Sequence, residues 1–436
     1  MYSLHPITIS RMLQKFYKLI PTDYLVLIKE GGLYTFINVL DRVVPFVLLP
    51  VIIRLISVEE FGIYSLFLTA ESLLVPIVTL NIYSSISKQF YDDDIYLPKY
   101  NSSIIFSLPF LFILFGLIFL MIPDKLITSS GLESNIILFA IFTACFSSSL
   151  VYTSSLIRLK RKPIAYGKYY LSQSSLLLVL LLLFVFIHPS YKMLIYAKSI
   201  YAIFVFAISI IYLRTKHEFN FGIDLSVIKK ALRLSLPTVI YSLSAFIFVM
   251  SDRFLINYFL GSKELGHYAA ISQVAAVMSV IVGSFNVAWM PWLFENLKKN
   301  DQRTNKFIVK TSYYLMAIVL LGGIIFCLLY PFIAKFILIE SFFPYISVAY
   351  PIIMGLAFQG IYLIVSPYTF YAGKTKYNAL IGIFVALINV GLNLYLIPKY
   401  GIWGAGYSYL ASWVSLSVLF FIFSKKAYPM PWFSFK

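Results

Sequence analysis

Asp41-Arg42 and Asp252-Arg253 are the parts of this sequence that point most clearly to chemistry, because each pair lies inside an apolar run. An ionised side chain at such a position costs about 2.5–3.5 kcal/mol on insertion scales, so it usually faces a wet cavity or a partner. Arginine suits a phosphate ligand because its planar guanidinium binds bidentately and keeps its charge. We therefore expect Arg42 and Arg253 to receive an anionic headgroup in a polar cavity. The alternative is that the Asp–Arg sets are neutral clasps between helices.

Four further polar side chains are candidates for the same cavity. Arg54 either joins it or extends to the membrane interface from a helix end. Glu71 is a candidate carrier of a coupling proton or sodium ion, whereas Asn38 and Gln273 either line the polar route or form interhelical hydrogen bonds. Adjacent helix residues point about 100° apart, so Asp41 and Asp252 need not pair with the arginines that follow them.

Signatures of covalent chemistry are absent from the sequence. The four histidines do not occur at metal-ligand spacing, and no glycine-rich loop is followed by Lys-Ser or Lys-Thr. Cys145 and Cys327 lie far apart within apolar runs and are interpreted as small apolar side chains. We expect no metal, no cofactor and no enzymatic activity.

Composition identifies the elements that must position these residues. Of 436 residues, 60% are hydrophobic and only 12% are charged, whereas a soluble domain has about 25% charged residues. About twelve apolar runs, each close to the roughly 20 residues that a membrane-spanning helix needs, follow one another along the chain. The runs do not alternate polar with apolar residues, which favours helices over a β-barrel. The sequence therefore predicts an all-α polytopic membrane protein with about twelve spans.

Lysine and arginine give the orientation of these spans. Most of the 35 basic residues fall in the N-terminal segment, in every second connection and in the C-terminal tail. The other connections are assigned only six of them, Lys125, Lys192, Lys198, Lys263, Lys335 and Lys399. Since cytoplasmic loops collect Lys and Arg, both termini are predicted to be cytoplasmic. The same rule accounts for the net charge of +17 without nucleic-acid binding.

A repeated motif divides the spans into two halves. Residues 55–64 (LISVEEFGIY) follow the first span, and residues 259–268 (FLGSKELGHY) follow the seventh. Both halves then have six spans and begin on the same side, so they are predicted to be parallel repeats. The expected segments are a cytoplasmic N-terminal segment that is either an interfacial helix or a solvated leader (1–30), an N-lobe (31–213), a cytoplasmic linker (214–233), a C-lobe (234–424) and a cytoplasmic tail (425–436).

Four stretches resemble a known family. They are residues 41–50 followed by 54–65, residues 251–256 followed by 261–268, residues 286–292 (NVAWMPW) and residues 397–405 (IPKYGIWGA). In order and spacing they are similar to bacterial polysaccharide and O-antigen flippases of the multidrug/oligosaccharidyl-lipid/polysaccharide exporter superfamily.

The resemblance implies a two-lobed transporter of the bacterial cytoplasmic (inner) membrane. It would move undecaprenyl-diphosphate-linked oligosaccharides from the cytoplasmic to the outer leaflet by alternating access, for O-antigen, lipopolysaccharide or capsule-type synthesis. Membrane lipids and possible polymerase and glycosyltransferase partners are implied with it. Arg42 and Arg253 stand where the family often has basic groups. The chain has few Lys residues in its spans, so its cavity is expected to be less cationic than in some members.

Two other functions are weighed against this one. A drug or small-cation exporter of the same fold would favour acidic cavity groups, whereas here an arginine accompanies each aspartate. A membrane polysaccharide polymerase or lipid-sugar glycosyltransferase generally needs a large outer loop with catalytic charges, and no outer connection of the predicted topology is long enough.

Overall fold

The computed structural model describes the backbone of residues 22–92, 96–123, 132–299 and 301–432, and their side chains except those of 22–31, 35, 38, 41–43, 375 and 376. Of the expected N-terminal segment 1–30, residues 1–21 therefore lie outside the described residues. Residues 22–30 form the start of the first long helix.

The first half of the chain forms six long helices. They are α1 (Thr22–Leu55), α2 (Val58–Val78), α3 (Leu97–Leu120), α4 (Ser134–Leu159), α5 (Pro163–Ile187) and α6 (Tyr191–Thr215). Two short helical turns, Ile82–Ser85 and Ile86–Gln89, follow α2.

The second half forms six more. They are α7 (Leu225–Leu260), α8 (Ser262–Ala275 continued by Val277–Leu297), α9 (Gln302–Ile337), α10 (Ala349–Tyr371, preceded by the 3₁₀ segment Glu340–Val348), α11 (Thr375–Tyr400) and α12 (Ile402–Ala427).

The predicted all-α membrane architecture is confirmed. In the described part of the chain, α2 to α12 give eleven helices that are long and apolar enough to cross a bilayer, and no strand occurs. The remaining long helix, α1, has 34 residues, of which Val44–Leu55 form an apolar stretch with described side chains. Backbone groups in hydrocarbon must be paired within the chain, which a helix achieves by itself.

The two halves pack in the same way. In the N-lobe, α1 packs on α5, α2 on α4, α3 on α4, α4 on α6, and α5 on α6. In the C-lobe, the corresponding helices make the same five contacts: α7 with α11, α8 with α10, α9 with α10, α10 with α12, and α11 with α12. The predicted parallel repeat is therefore present in the packing as well as in the sequence.

The two ends of the bundle differ in charge. We call the end that holds the α2–α3, α4–α5, α6–α7, α8–α9 and α10–α11 connections the basic end, since most of the Lys and Arg residues lie there. The other end, where α1 joins α2 and α7 joins α8, is the neutral end. At the neutral end a capping box starts α2: the Ser57 hydroxyl accepts the Glu60 amide (3.2 Å), and the Glu60 carboxylate accepts the Ser57 amide (3.1 Å).

The linker between the lobes is shorter than expected and is bound to the N-lobe. Because α6 continues to Thr215 and α7 begins at Leu225, only residues 216–224 connect them. Glu218 forms an ion pair with Lys160, and Asp224 lies 2.6 Å from the Lys99 ammonium. Asp224 also accepts the Ser226 amide at 2.7 Å, as the N-cap of α7.

We expect Asp224→Asn to speed amide hydrogen exchange in residues 216–224 while leaving the bundle intact. The Lys99 ammonium, followed by the Ser226 hydroxyl and amide, holds the pKa of Asp224 well below its ordinary value. The stabilisation is therefore fully present above a pH of about 4 and is lost only as the pH falls well below it. Asp301→Asn, which makes the same substitution at the N-cap of α9, is the matched control. Equal amide exchange of residues 216–224 in the wild type and in Asp224→Asn at neutral pH would contradict this role of Asp224.

The C-terminal segment, expected as a cytoplasmic tail, packs back on the C-lobe. Lys425 and Lys426 belong to the last turn of α12. Trp432 is buried against the rings of Tyr313, Tyr368 and Phe421. Tyr313 also donates a 2.9 Å hydrogen bond to the Trp432 carbonyl, so the segment up to Trp432 is part of the folded lobe.

Candidate functional site

The lobes meet at the neutral end through two glycines, one from each copy of the repeated motif. A Cβ added to Gly62 on α2 would lie 1.8 Å from the carbonyl oxygen of Ser262, and one added to Gly266 on α8 would lie 2.0 Å from that of Val58. In the repeat, Gly62 corresponds to Gly266 and Val58 to Ser262, so the contact is reciprocal. Only glycine allows two helix backbones to approach so closely.

A second contact between the lobes lies toward the basic end. Asn81, which follows α2, donates from its amide to Thr238 (3.2 Å) and Ser242 (3.0 Å) on α7. Its backbone is left-handed, with φ of 52°, a conformation that asparagine tolerates better than most residues.

A cavity of about 380 Å³ lies between the lobes. Its walls come from α1, α2, α5 and α6 of the N-lobe and from α7 and α8 of the C-lobe. The α2 wall runs from Phe61 to Ser72 and the α8 wall from Ala269 to Ala276. Apart from Phe61, which is next to Gly62, both stretches lie on the basic side of the glycine contact, so that contact lies between most of the cavity and the neutral end. Most wall residues are apolar, and Lys198 and Arg253 are the charged ones.

Lys198 contributes the N-lobe cation. It lies on α6, seven residues beyond the helix start at Tyr191. Its ammonium is 2.5 Å from the carboxylate of Glu71 on α2. The Glu71 side chain is 9% exposed and that of Lys198 is 17% exposed. The pair is neutral as a whole, yet the lysine still reaches the cavity wall.

Arg253 contributes the C-lobe cation. Its guanidinium is 3.6 Å from the carboxylate of Asp252 and 3.0 Å from the sulfur of Met250. The buried Asp252 accepts a hydrogen bond from the hydroxyl of Tyr268 on α8 and another, at 2.8 Å, from the Arg253 amide. Asp252 thus pairs with the arginine that follows it, although the 100° spacing did not require this. Its main role is to tie α7 to α8 through Tyr268.

Gln273 joins the lobes at the cavity. It lines the wall from α8, and its side-chain amide donates a 2.6 Å hydrogen bond to the Pro45 carbonyl on α1. The interaction therefore combines the two roles expected for Gln273, wall residue and interhelical hydrogen bond.

The other expected site residues have different positions. Asp41, Arg42 and Asn38 lie in α1, but their side chains are outside the described part, so their roles remain predictions. Arg54 is exposed in the last turn of α1, where it donates to the Pro50 carbonyl at 2.7 Å, and it does not line the cavity. Of the two positions expected for Arg54, this exposed helix end fits the membrane interface rather than the cavity.

Lys198 is the cavity residue that the sequence interpretation missed. Its assignment to the connection before the sixth span is wrong, because α6 already begins at Tyr191. The sequence did contain a signal for a position within the span, because Lys198 lies inside an apolar run (Leu194 to Leu213) rather than at its edge. The cavity therefore has a lysine on its wall, although few Lys residues were counted in the spans from the sequence and this one was not among them. In the described part of the chain no group of His, Cys, Asp and Glu could hold a metal ion.

Residues 27–297 match the family described as "Polysaccharide biosynthesis protein". The chain belongs to this polysaccharide biosynthesis family. Two relatives from Haemophilus influenzae are similar over most of their length. One, named "Uncharacterized membrane protein", is 26% identical over 84% of this chain and 89% of its own. The other, "Lsg locus putative protein 1", is 24% identical over 80% and 86%.

Solved structures place this member of the polysaccharide biosynthesis family in a known transporter fold. A structure titled "Lipid II flippase MurJ, inward closed conformation" superposes with a TM-score of 0.71 at 18% identity, covering 91% of this chain and 88% of that one. An inward-facing multidrug resistance MATE family transporter of the MOP superfamily gives 0.66 at 15% identity, covering 91% and 94%. At these identities the likeness concerns the fold alone.

Proposed function

We propose that the protein is a flippase that moves undecaprenyl-diphosphate-linked oligosaccharides from the cytoplasmic to the outer leaflet of the bacterial cytoplasmic membrane. The product would serve surface polysaccharide synthesis of the O-antigen or capsule type. The observation that carries the proposal is the cavity between the lobes, with one cation from each lobe on its wall, in a member of a polysaccharide biosynthesis family.

The chemistry of the wall suits a diphosphate linked to lipid and sugar. Lys198 and Arg253 offer charge-assisted hydrogen bonds to phosphate oxygens, and the apolar remainder of the wall excludes water that would weaken them. Binding and release by these groups need no covalent step, in agreement with a transporter rather than an enzyme. Arg42 is proposed to belong to the same headgroup site.

The two inter-lobe contacts suit alternating access. The glycine contact lies between most of the cavity and the neutral end, and the Asn81 hydrogen bonds lie toward the basic end. By the positive-inside rule the basic end is cytoplasmic. Loading from the cytoplasm then requires the Asn81 contact to open, and discharge requires the glycine contact to open.

The alternative of a cation exporter has less support in the cavity. Both described carboxylates near the wall are occupied: Glu71 pairs with Lys198, and Asp252 is bonded to Tyr268 and Arg253. A lipophilic cation would meet two positive groups on the wall. A polymerase or glycosyltransferase has no support either, since the described α1–α2, α5–α6 and α7–α8 connections at the neutral end are only one to three residues long.

Reconstitution into liposomes tests the proposal. The substrate is a fluorescent oligosaccharide linked by diphosphate to a polyprenyl chain, and a membrane-impermeant quencher reports its leaflet. We expect the protein to bring inner-leaflet label to the outside, and the same sugar on an uncharged polyprenyl ether to stay where it is. Movement of a lipophilic dye cation without movement of the diphosphate lipid would contradict the flippase and favour the exporter.

A further inference from the structure

The Lys198–Glu71 pair sets a condition on how an anion can bind in this cavity. Lys198 is a cation of the wall, and its ammonium is held 2.5 Å from Glu71. The ammonium has three donors, but a phosphate that binds Lys198 brings a second negative charge to a cation that neutralises only one. Glu71, itself 7% exposed and not among the wall residues, would then be left as a buried carboxylate without its counter-ion.

No other described cation is placed to replace Lys198. Of the helices packed against α2, α3 and α4 are charged only near their basic ends, at Lys99 and Arg158. Helix α8 is charged at Lys263, Glu264 and His267 in its first two turns and at Glu295 near its basic end. On α7, Arg253 is already within reach of Asp252. On α6 the other basic residues, Lys192 and Arg214, lie at the two helix ends. On α2 itself, the titratable group near Glu71 is the Tyr64 phenol. On α1, the side chains of Asp41 and Arg42 lie outside the described part.

A carboxylate that loses its counter-ion in a desolvated site neutralises by taking up a proton. We propose that binding of an anionic headgroup to Lys198 is accompanied by uptake of one proton on Glu71. The ammonium keeps its proton and exchanges a carboxylate oxygen for a phosphate oxygen, and the Glu71 carboxylate becomes a carboxylic acid. The proton comes from solvent on the side from which the headgroup enters. The inference rests on the proposed function for the identity of the anion.

The sign of the pH dependence follows from the exchange. Because the bound state holds one more proton than the free state, affinity for the headgroup rises as the pH falls. A glutamine at residue 71 cannot take up a proton and does not compete as a charge for Lys198. Glu71→Gln should therefore bind the same ligand with no proton uptake and with no loss of affinity at neutral pH.

Calorimetry on the full-length protein in nanodiscs measures the proton directly. The probe is a diphosphate esterified by a short prenyl chain on one side and by N-acetylglucosamine on the other, so that its own charges do not titrate near neutral pH. Binding enthalpies in two buffers of different ionisation enthalpy give the protons taken up per ligand. We expect about one for the wild type and none for Glu71→Gln. The matched control is Glu218→Gln, which breaks a Lys–Glu pair outside the cavity and should keep the wild-type proton uptake.

The outcomes separate this inference from the proposed function. Tight binding of the probe by the wild type without proton uptake would overturn the exchange and leave the flippase standing. Proton uptake in Glu71→Gln equal to that of the wild type would overturn it as well. A wild type that does not bind the probe at all would overturn both.

Discussion

Replacing Gly62 with alanine is expected to loosen the contact at the neutral end and to stop transport. The new methyl group would lie 1.8 Å from the backbone carbonyl of Ser262, so the helices α2 and α8 must separate. Overpacking of this kind costs about 1–3 kcal/mol, which shifts an equilibrium between closed and open forms about 5- to 150-fold. Gly266→Ala, against the carbonyl of Val58, should have the same effect because the contact is reciprocal.

Accessibility of the cavity is the direct measurement for this variant. A cysteine replaces Ser272 on the cavity wall, in a protein from which Cys145 and Cys327 have been removed. A membrane-impermeant thiol reagent applied at the neutral end should label it faster in Gly62→Ala. Gly283→Ala is the matched control, since nothing lies within 4 Å of a Cβ at that position. If Gly62→Ala labels and transports like the wild type, the glycine contact does not close the cavity.

Replacing Lys198 with methionine is expected to abolish transport and to destabilise the protein. The substitution removes a cavity cation and leaves the buried Glu71 without its partner. Removing one member of a buried ion pair costs about 3–5 kcal/mol. The loss should be visible as a lower midpoint of thermal unfolding in detergent.

A double variant separates the structural from the functional role of Lys198. Lys198→Met with Glu71→Gln removes both charges, so stability should recover, whereas transport should stay absent because the headgroup has lost a partner. Arg54→Gln, which removes an exposed cation outside the cavity, should transport normally. If the double variant transports like the wild type, Lys198 has only a structural role as the ion-pair partner of Glu71.

The sequence predicted the spans and the repeat well because each indicator was local. Apolar length predicts a span, Lys and Arg density predicts a side, and the shared glycine motif predicts a repeat; each can be recognised without knowing which helices meet. The packing of α2 on α8 then brings Gly62 and Gly266 together. Sequence alone shows that the motif recurs but not that its two copies touch each other.

The site was harder to predict because it depends on depth and on rotation about each helix. Arg54 is the last residue of one apolar run and Lys198 lies inside another, and only the structure shows that the first is exposed at a helix end and the second lines the cavity. Two residues of error in a span boundary decide between these positions. Likewise, the sequence offered Glu71 as a carrier of a coupling ion but did not show that Lys198 is its partner.

The reciprocal glycine contact bears on how many cargo molecules the cavity can hold. A strictly two-fold molecule would present every binding group twice and would offer two equivalent places to one headgroup. Here the glycine contact follows the two-fold relation between the lobes, whereas the cavity wall does not. In the register set by the two glycines, Arg253 corresponds to Leu49, and both residues line the cavity. For the proposed flippase, the asymmetry of the described wall predicts one place for a charged headgroup and therefore a stoichiometry of one cargo molecule per cycle.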